Sequence, residues 1–250
     1  MPDDRLDIIY RDDHLVAVHK PSGLLVHPSL VDRRETRSVM KLLRDQLDRW
    51  VYPVHRLDKP TSGVLVLGLS PDSARLLSGR FEEQQVQKTY LAVVRGYSDP
   101  DDIIDHPLKE QLDKMTDRKA RQDKPAQAAV TRYRRLATVE LPIAVGRYAT
   151  ARYSLLELHP ETGRKHQIRR HMKHIAHPIV GDTSHGKSEH NRLFAQHFGC
   201  RRLLLSAVEM RLSHPVTGEE LRLVAPLEGE FAAVVRKLGW EDALPDGWIR

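Results

Sequence analysis

The order of the apolar segments constrains this chain most, because they are short and switch irregularly between strand and helix periodicity. Strand patterns occur at residues 6–10, 15–19, 64–69, 88–95, 129–139, 152–158, 203–212 and 221–225. Helix patterns occur at residues 38–50, from Ser70-Pro71 onward, at 166–176 and at 228–238. No regular strand–helix–strand rhythm appears. The pattern therefore predicts an α+β fold, with a central mixed or antiparallel sheet flanked by helices.

Length and composition limit the class of protein further. A chain of 250 residues without a linker-like stretch fits a single domain over residues 1–250. The longest apolar runs without glycine have five residues, at 90–94 and 231–235, far short of the roughly 20 residues of a membrane-spanning helix. The single cysteine, Cys200, excludes an intramolecular disulfide and a cysteine-rich zinc site. Residues 1–5 are polar and show no secretory signal, so we expect a cytoplasmic protein without a membrane partner.

The formal net charge of +6 is concentrated in two segments. Residues 109–135 carry nine Lys/Arg and four Asp/Glu, and residues 163–176 carry five Lys/Arg and no carboxylate. Clustered positive charge is typical of nucleic-acid binding, although two solvated faces would show the same composition. Residues 109–127 also lack apolar periodicity, which predicts a long surface loop.

The densest group of reactive side chains lies at residues 55–63, with the sequence His-Arg-Leu-Asp-Lys-Pro-Thr-Ser-Gly. It precedes the strand pattern at 64–69, and Pro60 and Gly63 restrict its backbone to a turn. A carboxylate beside cations remains ionised and can act as a nucleophile or a base, which makes Asp58 a candidate catalytic residue. The alternative is a charged turn in which Asp58 only accepts backbone N–H groups.

This segment resembles the H-R-L-D-x-x-T-S-G motif of the RluA-type family of pseudouridine synthases. Four further blocks resemble family motifs in the same order, at residues 18–27, 88–90, 163–169 and 177–182. The likeness covers about residues 5–225 and implies a catalytic domain with an RNA-binding cleft, without the S4-like domain of some relatives. The basic stretch near 109–127 and the sequence Val-Leu-Gly-Leu-Ser after the motif are similar to a subgroup that acts on transfer RNA.

The resemblance implies the isomerisation of a uridine in RNA to pseudouridine, with no cofactor and no metal. Asp58 would be the catalytic carboxylate, attacking C1′ or supporting a glycal route, much as a retaining glycosidase uses a carboxylate. Arg169 matches the arginine that pairs with this aspartate, and Tyr90 matches the tyrosine that stacks on the flipped base. Arg56 matches the arginine that enters the RNA helix where the base has left.

Other cations are candidates for RNA binding on weaker grounds. The alternatives for these residues are that they contact phosphates, that they line the cleft, or that they remain on solvated faces. The residues are Lys20, Arg164, Lys165 and Arg170. His55 and His166 are expected to stabilise loops by hydrogen bonds. The implied partner is RNA, with the uridine at position 65 in the T stem of transfer RNA as the favoured target and ribosomal RNA as the alternative. We expect a monomer.

Three competing interpretations remain. Residues 181–188 match the phosphate-binding loop pattern G-x-x-x-x-G-K-[ST], but only Ile179-Val180 stand where its buried strand should be. His171, His174 and His177 are spaced as they would be on one side of a helix, where a metal site is conceivable. A non-catalytic RNA-binding module would use the two basic segments without Asp58.

Overall fold

The computed structural model describes residues 5–28, 37–110 and 124–250. Within these residues, ten strands join into one sheet. They are β1 (Asp7–Arg11), β2 (Leu15–Lys20), β3 (Tyr52–Pro53), β4 (Ser62–Gly68), β5 (Gln87–Arg95), β6 (Asp101–Asp105), β7 (Val130–Leu141), β8 (Ala151–Pro160), β9 (Leu205–Ser213) and β10 (Glu220–Val224).

The strand order along the sheet is β1-β2-β4-β9-β5-β8-β7-β6, with β3 added beside β4 and β10 beside β9. Among these strands, β4 and β9 pair in parallel and every other pairing is antiparallel. The predicted α+β fold with a mixed sheet is therefore confirmed. The parallel contact is short, at Ser62 with Ser206 and Gly63 with Ala207, and it lies in the middle of the sheet.

Five helices flank the sheet within the described residues: α1 (Val39–Leu47), α2 (Pro71–Glu82), α3 (Gln167–His174), α4 (Ser188–His197) and α5 (Gly229–Lys237). The local sequence explains where α2 begins, because the Ser70 hydroxyl accepts the Ser73 N–H and Pro71 occupies the first turn. Across the described part of the chain, no helix combines the length and apolar composition that crossing a membrane requires.

The expected strands and helices are all present, with ends shifted by a few residues. Three elements were not expected: β3, β6 and α4. Strand β3 has two residues and β6 has the sequence Asp-Asp-Ile-Ile-Asp, so neither shows apolar alternation. Helix α4 is polar over most of its surface and buries only a few side chains, His190, Leu193 and Phe194 among them.

Most of the surface loop predicted at 109–127 lies outside the described residues, which omit 111–123. Its two described ends are held together by reciprocal backbone hydrogen bonds between Leu108 and Gln127. Lys124 and Glu110 also form an ion pair of 3.0 Å. The ends of the segment therefore leave the body of the protein side by side.

Gly63 is required by the close approach of β4 to β9. Its φ is +115°, and a Cβ atom there would lie 2.1 Å from the carbonyl oxygen of Ala207. We expect Gly63→Ala to lower the free energy of unfolding by at least about 2 kcal/mol, because both the backbone conformation and the contact are unfavourable. Urea unfolding followed by circular dichroism measures this.

The matched control is Gly79→Ala in helix α2, where an added Cβ meets nothing within 4 Å. That substitution should stabilise the protein slightly, because alanine is the better helix former by up to about 1 kcal/mol. Equal behaviour of the two variants would contradict the close approach at Gly63.

Candidate active site

A cleft of about 1050 Å³ opens at the end of the sheet where β4 begins. It is lined by the loop before β4, by the start of β5, by residues 160–165 and by helix α3. Seven of the eight candidate site residues line it: Arg56, Asp58, Tyr90, Arg164, Lys165, Arg169 and Arg170. The fold thus gathers these candidate side chains from three separate parts of the chain around one cavity.

The loop that carries Asp58 is fixed by hydrogen bonds to the segment after β2. The Gly23 N–H donates to the Lys59 carbonyl at 2.8 Å, and the Ser22 hydroxyl donates to the Pro60 carbonyl at 2.7 Å. At the end of the loop, the Ser62 hydroxyl donates to Ser206 Oγ at 2.8 Å. These bonds place the Asp58 carboxylate on a rigid part of the cleft floor.

The structure corrects the expectation that Lys20 contacts RNA. Its side chain is fully buried, and its ammonium donates to the carbonyls of Pro21, Leu24 and Lys59. Burial, with the nearby Arg202, lowers the pKa of Lys20 to about 7. With its three donors occupied beneath the Asp58 loop, this ammonium does not reach the cleft surface, and Lys20 supports the loop from behind.

Arg169 connects two carboxylates at the bottom of the cleft. Its Nη1 donates to Asp58 Oδ2 at 2.9 Å, while Nε and Nη2 donate to the two oxygens of Asp182 at 2.7 and 2.9 Å. Arg169 and Asp182 are both buried, whereas Asp58 is partly open to the cleft. The bidentate contact with Asp182 fixes the plane of the guanidinium and hence the orientation of the Asp58 carboxylate.

Asp182 was not recognised as a site residue from the sequence, although it ends the block at 177–182. Its Oδ1 also accepts the backbone N–H groups of Ser184 and His185, each at 2.9 Å. Burial alone would raise the pKa of Asp182, but the Arg169 hydrogen bonds and these N–H groups lower it below its ordinary value. The sequence showed only that a carboxylate lies in a motif block. It gave no indication that Arg169 would be the partner of this carboxylate.

Tyr90 lies near Asp58, at an irregularity in the pairing of β5 with β9. Burial and the charge of Asp58 raise the pKa of its phenol far above the ordinary value. The ring is therefore a neutral phenol at physiological pH. It offers an aromatic face and a hydroxyl group to the cleft.

Two of the histidines that line the cleft, His55 and His166, are uncharged near neutral pH. Burial and Lys88 lower the pKa of His55 to about 3, and its Nε2 accepts the Val66 N–H at 3.0 Å. Burial also lowers the pKa of His166, whose Nδ1 lies 3.0 Å from His185 Nε2. His166 Nε2 is 3.8 Å from Asp58 Oδ2. These contacts agree with the expected loop-stabilising roles.

The phosphate-binding loop interpretation of residues 181–188 is not supported by the geometry. Helix α4 does follow these residues. The segment before them, however, forms only an isolated bridge between Ile179 and Val94 where the pattern requires a buried strand. The amides of Ser184, His185 and Gly186 donate to Asp182. They point into the protein and cannot form a phosphate cradle.

The three spaced histidines have separate roles. Both ring nitrogens of His171 are hydrogen-bonded, to Thr131 and to the His106 carbonyl. His174 stacks on His106 with ring centroids 3.7 Å apart, and His177 contacts the Arg95 carbonyl. Within the described ranges, no group of three or more His, Cys, Asp or Glu side chains is arranged to hold a metal ion.

The site therefore has a carboxylate on the cleft floor, a buried arginine that orients it, and walls rich in exposed cations. Together these features define an enzyme site suited to a polyanionic sugar–phosphate substrate. The model of the RNA pseudouridylate synthase family matches residues 14–174, and the chain belongs to this family.

Relatives and solved structures agree with this assignment. The chain is 57% identical over 241 residues to a tRNA pseudouridine synthase C of Pectobacterium carotovorum, covering 96% of this chain and 64% of that protein's length. Proteins of the same name from Yersinia pestis and Vibrio cholerae are 55% and 53% identical, and the matches cover 93% and 98% of their lengths and 96% of this chain in each case.

Two solved human structures share the fold. Human RNA pseudouridylate synthase domain containing 4 superposes with a TM-score of 0.71 at 29% identity, covering 96% of this chain and 95% of that one. Human RNA pseudouridylate synthase domain containing 1 gives 0.68 at 26% identity, covering 91% and 86%.

Proposed function

We propose that this protein isomerises a specific uridine of transfer RNA to pseudouridine. The observation that carries the proposal is the Asp58 carboxylate, held by Arg169 on the cleft floor beside Tyr90, in a chain of the RNA pseudouridylate synthase family. The relatives named tRNA pseudouridine synthase C favour transfer RNA over other RNA.

In this reaction the bond between N1 of uracil and C1′ of ribose breaks, and the bonding electrons leave with N1. An Asp58 oxygen then bonds to C1′, or Asp58 takes the C2′ proton and a glycal forms. The uracil turns in the cleft and C5 bonds to C1′. This step breaks the Asp58–C1′ bond or, on the glycal route, is accompanied by return of the proton from Asp58 to C2′. The C5 proton is then released and N1 is protonated. Reactant and product are isomers, so the balance requires no redox partner.

The surrounding residues have distinct parts in this proposal. The single hydrogen bond from Arg169 fixes one Asp58 oxygen and leaves the other for the ribose. Tyr90 would stack on the flipped base, and Arg56, exposed at the rim, would occupy the space that the base leaves in the helix. Stacking by a guanidinium offsets part of the few kcal/mol that flipping costs.

The specific target that we propose is the uridine at position 65 in the T stem. Its test is tritium release from transfer RNA transcribed with uridine labelled at C5, followed by mapping of the modified position. Release from transfer RNA with a pseudouridine at 65 supports the proposal. Release from ribosomal RNA alone would move the substrate to that class, and release from neither would refute synthase activity.

We also propose that the protein acts on this RNA in the cytoplasm as a monomer. The single cysteine is buried, and burial raises the pKa of its thiol to about 11, so it is suited to neither disulfide exchange nor a covalent dimer.

Salt dependence tests the cleft cations Arg164 and Arg170. Among the described residues, their guanidinium groups donate hydrogen bonds to backbone carbonyls. If both face phosphates, the double variant Arg164→Gln/Arg170→Gln should bind transfer RNA at least about tenfold more weakly at 0.1 M salt. The slope of log K against log salt should fall by about 2, one for each lost phosphate contact. Filter binding across a salt series measures both.

The control is Arg236→Gln on helix α5, whose guanidinium pairs with Glu241 away from the cleft. It removes one positive charge without touching the cleft wall. An equal loss of affinity in the control and in each single cleft variant would show that net charge, and not these positions, controls binding.

A further inference from the structure

Lys88 is a half-buried cation of the cleft wall for which the reaction above names no role. It precedes Tyr90 by two residues on β5, and both residues line the cleft. Within the described part of the chain, no hydrogen bond or ion pair joins its ammonium to another residue. Among the residues that the structure describes, its charge therefore has no paired counter-charge.

The neighbour on which the charge of Lys88 acts, His55, does not balance that charge. His55 is neutral, and Phe81 stacks on the His55 ring with centroids 4.5 Å apart. Burial lowers the pKa of Lys88 itself. Holding an unpaired cation in such a place costs free energy, and an anion arriving beside it would recover part of that cost.

The nearby Arg169 is not available for this purpose, because it already serves two carboxylates. Together with Asp58 and Asp182 it forms a floor of net charge −1. The cleft is thus polarised, with negative charge where C1′ would lie and positive charge at Lys88, on the same strand as the ring that would stack on the base.

The reaction creates an anion that matches this position. When the N1–C1′ bond breaks, its electron pair remains on uracil, and the negative charge spreads over N1, O2 and O4. A phosphate is charged throughout the reaction and lies outside the base, whereas uracil becomes charged only on cleavage. A cation placed there stabilises the transition state more than the bound substrate.

We propose that Lys88 is a catalytic residue whose ammonium stabilises the detached uracil anion during cleavage of the glycosidic bond. This inference rests on the proposed function. In the complete proposal, Asp58 acts on the ribose and Lys88 stabilises the base that leaves it.

The experiment compares two leaving groups in the wild type and in Lys88→Met. Transfer RNA is made with uridine or 5-fluorouridine, and single turnovers are run with saturating enzyme. Because reactant and product have the same mass, loss of the N-glycosidic nucleoside is followed by chromatographic separation of the digested RNA with detection by mass spectrometry. Fluorine stabilises the detached base by itself. We expect Lys88→Met to slow uridine cleavage by about 10²-fold or more, and 5-fluorouridine cleavage at least about tenfold less severely.

Two results would overturn the inference while leaving the proposed function intact. One is an equal loss for both bases with an active wild type. The other is an unchanged single-turnover rate with weaker RNA binding and a salt slope reduced by about 1, which is the behaviour expected of a phosphate contact. Circular dichroism checks folding, and Lys88→Gln supplies the same comparison if the methionine variant does not fold. A wild type inactive on every RNA would refute the proposed function and this inference together.

Discussion

Asp58→Asn should reduce pseudouridine formation by at least about 10⁴-fold, the size of loss seen when an enzyme loses its central reactive group. The substitution keeps the shape of the side chain but removes the negative charge that meets the developing positive charge at C1′. It also replaces the partner of Arg169 Nη1 by a neutral amide. Tritium release under single-turnover conditions measures the loss.

Affinity for RNA separates this prediction from the non-catalytic alternative. Removing a negative charge from a cleft that binds phosphates should leave the dissociation constant unchanged or slightly lower. An inactive variant that binds RNA like the wild type supports catalysis by Asp58. Full activity in Asp58→Asn would contradict the proposed mechanism and favour a binding module.

Asp182→Ala is expected to have the largest effect on stability. It leaves the Arg169 guanidinium buried with only Asp58 as a partner, and it removes the acceptor of the Ser184 and His185 amides. Breaking a buried pair on one side typically costs about 3–5 kcal/mol, which for a domain of this size lowers Tm by about 10 °C. Thermal unfolding by circular dichroism measures this.

Activity should fall with it, because the guanidinium would no longer orient Asp58. We expect at least about a 100-fold loss in the single-turnover rate at a temperature where the variant is still folded. Loss of stability with full activity would show that Asp182 is structural only. A normal Tm would contradict the buried pair itself.

Two comparisons sharpen the result for Asp182. In the double variant Arg169→Met/Asp182→Ala, no guanidinium is left without a partner. Its loss of unfolding free energy should therefore be smaller than the sum of the losses in the two single variants.

The pH dependence of the Asp182 contribution has a defined sign. The pKa of Asp182 is lowered by folding, so its contribution is present above its ordinary pKa near 4 and is lost as the pH falls toward the lowered value. The stability difference between wild type and Asp182→Ala should therefore shrink in acid.

Local sequence was sufficient wherever neighbouring residues determine the structure. Ser70 and Pro71 mark the start of α2, and the apolar residues of β2 and β4 mark strands that are buried on both faces. Asp58 could be recognised because the chemistry of its loop and the family motif occupy consecutive residues. Strand β6 was missed because it is short and acidic, and its structure depends on pairing with β7.

The roles of Lys20 and Asp182 depend on residues far away in the chain. Lys20 was one of the weaker candidates for RNA binding, but its ammonium donates one of its three hydrogen bonds to a carbonyl of the Asp58 loop, 39 residues later. Asp182 acquires its role only because α3 turns Arg169 toward it, while the same guanidinium reaches Asp58 across 111 residues.

By itself, the sequence determined the fold class, the candidate loop that carries Asp58 and the identity of the cations, because each depends on residues that are adjacent or regularly spaced. Only the tertiary structure decided which of those cations face the cleft, which are buried and which carboxylate fixes Arg169. The physical reason is that burial and charge pairing depend on the positions of segments distant in sequence. The residues next to a side chain in the sequence do not specify whether it will contact water or pair with another charged group.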